Sequence, residues 1–237
     1  MEYTDQKPLT THFVSATDSP GFTHLSWALP RSSVIGLDAE WKPIRTRQDT
    51  FPTVCLLQIA CRLVGNDDST AQQNESLVFL LDLSTIPLSS IYELMKDVFV
   101  SPHILKLGFL FKQDLVFLSS TFCSQGCDPG FDRVEPYFDI ASIYNYLQHN
   151  QPGRKMPKET KGLSTICEEI LGFSLSKKLQ CSDWSCRPLT EEQKAYAAAD
   201  AHCLLEIFNF FQVKVAKEGH SSNLDLEALE LVRAVSS

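Results

Sequence analysis

The chain lacks the marks of several protein classes. Its N-terminus, MEYTDQKPLT, has no basic segment followed by an apolar one, so no secretory signal is expected. No uncharged apolar run reaches the ~18 residues that would suggest a membrane span. An intracellular, cytoplasmic setting is therefore expected, with a nuclear one left open. Basic residues are also in short supply. Lys and Arg number 21 against 29 Asp and Glu, a net charge of −8. That balance argues against a protein that coats duplex phosphates with lysine and arginine. It does not exclude chemistry on nucleic acid, because bound cations would reverse the local charge. Finally, none of the eight cysteines falls in a tight Cys-x2-Cys pair. Cys123 with Cys127, and Cys181 with Cys186, are spaced too loosely for a confident zinc site, so free thiols are expected.

What is present is an ordinary globular composition, 43% hydrophobic and 21% charged over 237 residues, long enough to bury a substantial core. Three apolar runs, at 33–41, 53–64 and 76–83, are short, branched or leucine-rich and bounded by turn formers, so each reads as a strand. The polar segment 65–75 reads as a loop. Residues 1–32 are mixed, with short helices expected around Phe13 and Trp27. The period then changes. Residues 87–100 are helical, 103–109 return to a strand, and 112–122 form an amphipathic helix. Residues 123–136 form a long loop, 137–147 enter a helix after a short extended stretch, and 148–161 make a Pro/Gly/Lys connection. Helices are expected at 162–172 and 190–218, the second opened by a Thr190–Gln193 capping box. A last amphipathic helix is expected at about 222–235. Strands first, then alternating strands and helices, predict an α/β domain with helices on a mixed sheet.

Within that frame the acidic residues form a pattern. Asp38 and Glu40 lie two apart at the end of the first apolar run and would project to one face of a strand. Buried together, they would repel and lose hydration unless a cation joined them. Taken alone, the pair fits a solvated strand edge better than a site. Asp114 opens the 112–122 helix. Tyr196 and Asp200, four apart, share a face of the long helix. Together these segments offer four carboxylates and a phenol. Four carboxylates can hold two metal ions about 3.5–4 Å apart for displacement at phosphorus.

In this order and context, the motifs LDAEW (37–41), LKLGFLFKQDLVFL (105–118) and QKAYAAADA (193–201) resemble those of the DEDD superfamily of 3′→5′ exonucleases. Tyrosine four residues before Asp200 places the chain in the tyrosine subgroup. The run GLSTICEEILG followed by SKKLQCSDWSCRPLTEEQKAYAAADA is similar to RNase D and Werner-type exonuclease domains. The cysteine-rich insertion and GFLFKQDL look most like the Nibbler-type exoribonucleases.

The resemblance implies an RNase H-like sheet flanked by helices, with an N-terminal extension at 1–32, the exonuclease domain at 33–215 and a C-terminal helix at 216–237. It implies Asp38, Glu40, Asp114 and Asp200 as ligands of two Mg²⁺ or Mn²⁺ ions. Tyr196 would position the attacking water, and nucleoside 5′-monophosphates would leave from a single-stranded 3′ end. RNA would be preferred, with trimming of small RNAs and an Argonaute-type partner implied by the subgroup. A DNA-directed Werner-type enzyme and an inactive scaffold are the alternatives. Trp41, Leu110, Phe111 and Arg187 are candidate substrate contacts. Arg154, Lys155, Lys158 and Lys161 form a basic cluster more readily read as a solvated loop, and Asp139 is expected to cap the helix that follows it.

Overall fold

The computed structural model describes residues 9–42, 51–64, 76–149 and 161–218. The polar segment 65–75, the cluster residues Arg154, Lys155 and Lys158, and the expected helix at 222–235 lie outside them. A six-stranded sheet forms the centre, in the order β1-β4-β3-β2-β5-β6. Its strands are β1 (Thr10–Val14), β2 (Ser32–Lys42), β3 (Thr53–Leu63), β4 (Ser76–Asp82), β5 (Leu105–Gly108) and β6 (Tyr137–Asp139). β3 runs antiparallel to both β2 and β4, and every other pairing is parallel.

Helices cover both faces. One face carries α1 (Pro20–Ala28), α2 (Ser89–Val100) and α3 (Lys112–Ser124). The other carries α4 (Ile140–His149), α5 (Leu163–Leu171), the single turn α6 (Lys177–Gln180) and α7 (Glu191–Glu218). Among the described residues, no helix is long and apolar enough to cross a membrane.

The central strands are apolar nearly throughout because both of their faces are covered. In β2, Ile35, Leu37 and Ala39 meet the α1–α3 layer, while Val34 meets the α7 layer. Local signals set the helix ends. Ser19 caps α1, its hydroxyl accepting from the Phe22 N–H at 3.2 Å, with Pro20 in the first turn. Gly172 ends α5 at φ +82°, a left-handed conformation that costs glycine little. The capping box of α7 is present: the Thr190 N–H donates to Gln193 Oε1 at 3.0 Å, and the Gln193 N–H to Thr190 Oγ1 at 3.1 Å. Further along α7, the buried guanidinium of Arg62 donates to Gln212 Oε1 at 2.9 Å and to the Leu205 carbonyl at 3.1 Å, fastening the helix to β3.

One expectation differs from the structure. Phe13 lies not in a helix but in β1, an edge strand pairing with β4, so the sheet begins well before residue 33. The helix expected at 190–218 is present as α7, Glu191–Glu218. The run Thr10–Val14 is too short for its period to announce a strand; pairing along the exposed edge of β4 decides it.

Candidate active site

The two halves of β2 have different neighbours. β5 pairs with β2 only from Val34 to Gly36, so the segment from Asp38 onward runs past the end of β5. By strand alternation, Val34, Gly36, Asp38 and Glu40 share the face against which α7 packs. At Gly36 the helix main chain comes very close: a Cβ there would stand 2.5 Å from the Ala201 carbonyl oxygen. Only glycine permits that approach, and it carries the preceding residue, Asp200, to the end of β2. Asp38, Glu40 and Asp200 each bring a ligand oxygen within 4.8 Å of the others'. Among the described residues this is the one group of three or more potential metal ligands.

Asp114 arrives by another route. β5 stops at Gly108, where a Cβ would lie 2.6 Å from that of Phe111, so the chain can fold back tightly. Leu110 then takes φ +54°, a strained left-handed conformation for a side chain that branches. α3 starts at Lys112, and Asp114 occupies its first turn, buried. It lines the same cavity, about 560 Å³, as Asp38, Glu40, Tyr196 and Asp200, but stands outside the close group of three. The structure thus brings all five residues to one pocket, with three carboxylates clustered and the fourth at its wall.

Burial and crowding dominate the electrostatics. Asp38 is held well above the usual carboxylate range, first by desolvation and then by Asp200 and Asp114. Glu40 is pushed up to about 10 by burial, with Asp38, Asp200 and Asp114 adding to it. Desolvation raises Asp114 and Asp200 to about 7. The Tyr196 hydroxyl bonds to Asp200, and burial together with that carboxylate drives its pKa far upward. Neutral phenol is therefore the stable form at any physiological pH.

Among the substrate-contact candidates, Trp41 and Leu110 line the pocket. Trp41 also stacks edge-on against Phe117, centroids 5.3 Å apart, and Leu110 is exposed. Two others are corrected. Phe111 is buried and faces a separate cavity against α3, because the turn at Leu110 swings it away. Arg187 is committed elsewhere. Its Nε and one terminal nitrogen grip the Asp82 carboxylate at 2.7 and 2.6 Å, and its remaining bonds go to the carbonyls of Cys55, Trp184 and Cys186. It is a structural fork joining β4 to the segment before α7. Lys161 is paired with Glu169. Asp139 does cap α4, accepting from the Ala141 N–H at 2.9 Å.

Ser164 and Trp184 also line the pocket and were not foreseen as contacts. A helix start such as GLS carries no chemistry of its own; only the packing of α5 beside α7 directs it here.

Buried side-chain atoms without hydrogen-bond partners gather at this place. Among the described residues they belong to Asp200 (Oδ1), Trp184 (Nε1) and Gln58 (both amide atoms). Asp200 and Trp184 line the pocket, and Gln58 sits opposite Asp38 on β3. Crowded oxygen donors, with one buried oxygen lacking any donor, suit a hard divalent cation. The cluster can hold a metal ion.

A family model described as 3'-5' exonuclease matches residues 13–216. The chain belongs to that 3′-5′ exonuclease family. Among curated relatives, the human exonuclease mut-7 homolog is 34% identical over 189 residues, 73% of this chain and 19% of the relative. Ribonuclease D of Jannaschia is 27% identical over 200 residues, 84% of this chain and 44% of its own length. The chain thus spans about a fifth of the first relative and under half of the second. The solved Nibbler EXO domain of Aedes aegypti superposes with a TM-score of 0.70 at 24% identity, covering 98% of this chain and 100% of that one. That likeness shows the fold, the RNase H-like arrangement of a mixed sheet between helices.

Proposed function

We propose that the chain is a metal-dependent 3′→5′ exoribonuclease that removes nucleoside 5′-monophosphates from single-stranded 3′ ends. The observation that supports it best is the buried cluster of Asp38, Glu40 and Asp200, with Asp114 at the wall and Tyr196 bonded to Asp200. These four carboxylates would hold two divalent ions, Mg²⁺ or Mn²⁺. Bound there, the ions supply charge stabilisation at the reacting phosphate and ease the ionisation of water.

The protein's own part is positional. Asp38, Glu40 and Asp200, whose ligand oxygens lie within 4.8 Å of one another, would hold the ions, with Asp38 as shared ligand and Glu40 toward the attacking water. Tyr196 stays protonated, so it orients that water as a neutral hydroxyl rather than acting as a base. Leu110, apolar and exposed at the pocket that the carboxylates line, would lie against the terminal base, and Trp41 would support it.

RNA is favoured because curated relatives include a ribonuclease D. An Argonaute-type partner and small-RNA trimming in the cytoplasm belong to this proposal and rest on the sequence resemblance alone. Co-purification of this chain with an Argonaute-type protein, lost when RNA is digested away, would limit the partnership to a shared substrate.

The direct test uses matched 5′-labelled RNA and DNA oligonucleotides with Mg²⁺ or Mn²⁺, beside Asp38→Asn protein. Shortening from the 3′ end that requires metal and Asp38 is expected, with RNA cut faster. A ladder unchanged in the variant would overturn the site, and equal or faster cutting of DNA would overturn the substrate class.

A further inference from the structure

β3 crosses the core as an almost wholly apolar strand, yet carries Gln58 in its middle, fully buried. Neither amide atom has a hydrogen-bond partner. An unpaired buried amide costs about 1–3 kcal/mol per group, and a leucine would fill similar space without that cost. The residue's surroundings say what it is for. Along β3, its same-face neighbours are Leu56 and Ala60, which pack in the α7 layer. Its partner on β4 is Leu80, and its partner on β2 is Asp38. Three of these four positions are apolar and the fourth is the candidate metal ligand. Directly opposed residues of an antiparallel pair have Cβ atoms about 4.5–5.5 Å apart, within reach of a glutamine side chain.

The deficits are complementary. Gln58 Nε2 is a donor without an acceptor, and Asp200 Oδ1, in the same acidic group as Asp38, is an acceptor without a donor. We infer that Gln58 is a positioning residue for the metal centre. Through one buried water, its amide N–H donates to the inner side of the Asp38–Asp200 pair and fixes the two carboxylates for metal binding. Partners of this kind orient ligating carboxylates, and their loss typically weakens metal affinity by about 10–100-fold. Gln58 Nε2, Asp200 Oδ1 and an Asp38 carboxylate oxygen give that water the two to four polar partners a buried water needs.

The inference rests on the proposed metal site, and the test keeps the two apart. Gln58→Met preserves the side-chain length and removes the amide. Mn²⁺ affinity is measured by calorimetry on the wild-type chain and the variant, alongside thermal unfolding without metal. The expected result is a Kd for Mn²⁺ raised about 10–100-fold in Gln58→Met, with a Tm equal to or above that of the wild type. A variant Kd within twofold of the wild type would overturn the role of Gln58 while leaving the metal site standing. Failure of the wild-type chain to bind Mn²⁺ would overturn both. A measurement on the unmutated protein guards against a variant that does not fold. The Gln58 side-chain amide resonances should shift as Mg²⁺ is added, and resonances unmoved at saturation would overturn the inference.

Discussion

The same face of the sheet buries acid in two places and treats it in opposite ways. At the end of β4, Asp82 is buried but fully engaged: the Arg187 fork grips both oxygens, and the Ser84 N–H adds a bond at 3.1 Å. At the end of β2, Asp38, Glu40 and Asp200 crowd together: desolvation raises the proton affinity of each, and Asp200 adds to that of Asp38 and Glu40. Where the chain supplies its own cation, the carboxylate is a rivet. Where it supplies none, the carboxylates are left to a cation from outside, and the fold bears their repulsion in the meantime.

Removing a charge should therefore have opposite consequences at the two places. Asp38→Asn is expected to lower exonuclease turnover on the order of 10⁴-fold, read with a labelled oligonucleotide. Without metal its Tm should hold or rise, because one repelling charge is gone. A fall in Tm of several degrees would erase the contrast.

Arg187→Met should do the reverse, costing about 3–5 kcal/mol in denaturant unfolding by stranding Asp82. Adding Asp82→Leu to that variant should restore most of the loss, and no recovery would mean that Arg187 acts through its carbonyl contacts instead.

A third buried charge sharpens the comparison. Among the described residues the Lys106 ammonium forms no salt bridge; it donates to the carbonyls of Ser101 at 2.7 Å and Glu135 at 2.6 Å. Burial lowers its pKa from 10.5 to about 8. The folded state thus binds this proton less tightly than the unfolded chain. The cost is fully present below about pH 8 and is relieved as pH rises from there to 10.5. Wild-type protein should gain up to about 3 kcal/mol relative to Lys106→Met across that window. A difference independent of pH would show that the carbonyl bonds compensate for burial.

The smallest effect belongs to the neutral member of the cluster. Tyr196→Phe keeps the ring and loses the hydroxyl, and should lower kcat about 10–100-fold with little change in KM or in Mn²⁺ affinity. A variant that loses metal affinity instead would make the tyrosine a partner of Asp200 rather than of water.

The carboxylates were legible because regular elements convert spacing into direction. Asp38 and Glu40 share a strand face, Tyr196 and Asp200 share a helical face, and Asp114 opens a helix directly after a strand. What escaped the sequence depended on distant partners or irregular backbone. Arg187 looked available for a substrate because Asp82, its partner, lies 105 residues earlier. Phe111 looked like a base contact because nothing in GFLFK announces that Leu110 adopts a positive φ and turns its neighbour inward. Gln58 passed unnoticed because a strand pattern does not say which positions will lie beside Asp38. The β1 strand emerged only with the edge it completes.

The close approach at Gly36 has a last consequence. The distance between Asp38 and Asp200 is set where one main chain rests on another, with no side chain as spacer. Main chain has no rotamers to slip between, so the gap works as a fixed gauge. Repacking around Leu204 or Cys203 could change how firmly α7 is held and still leave the calibre of the site as it is. A single methyl at residue 36 would reset it.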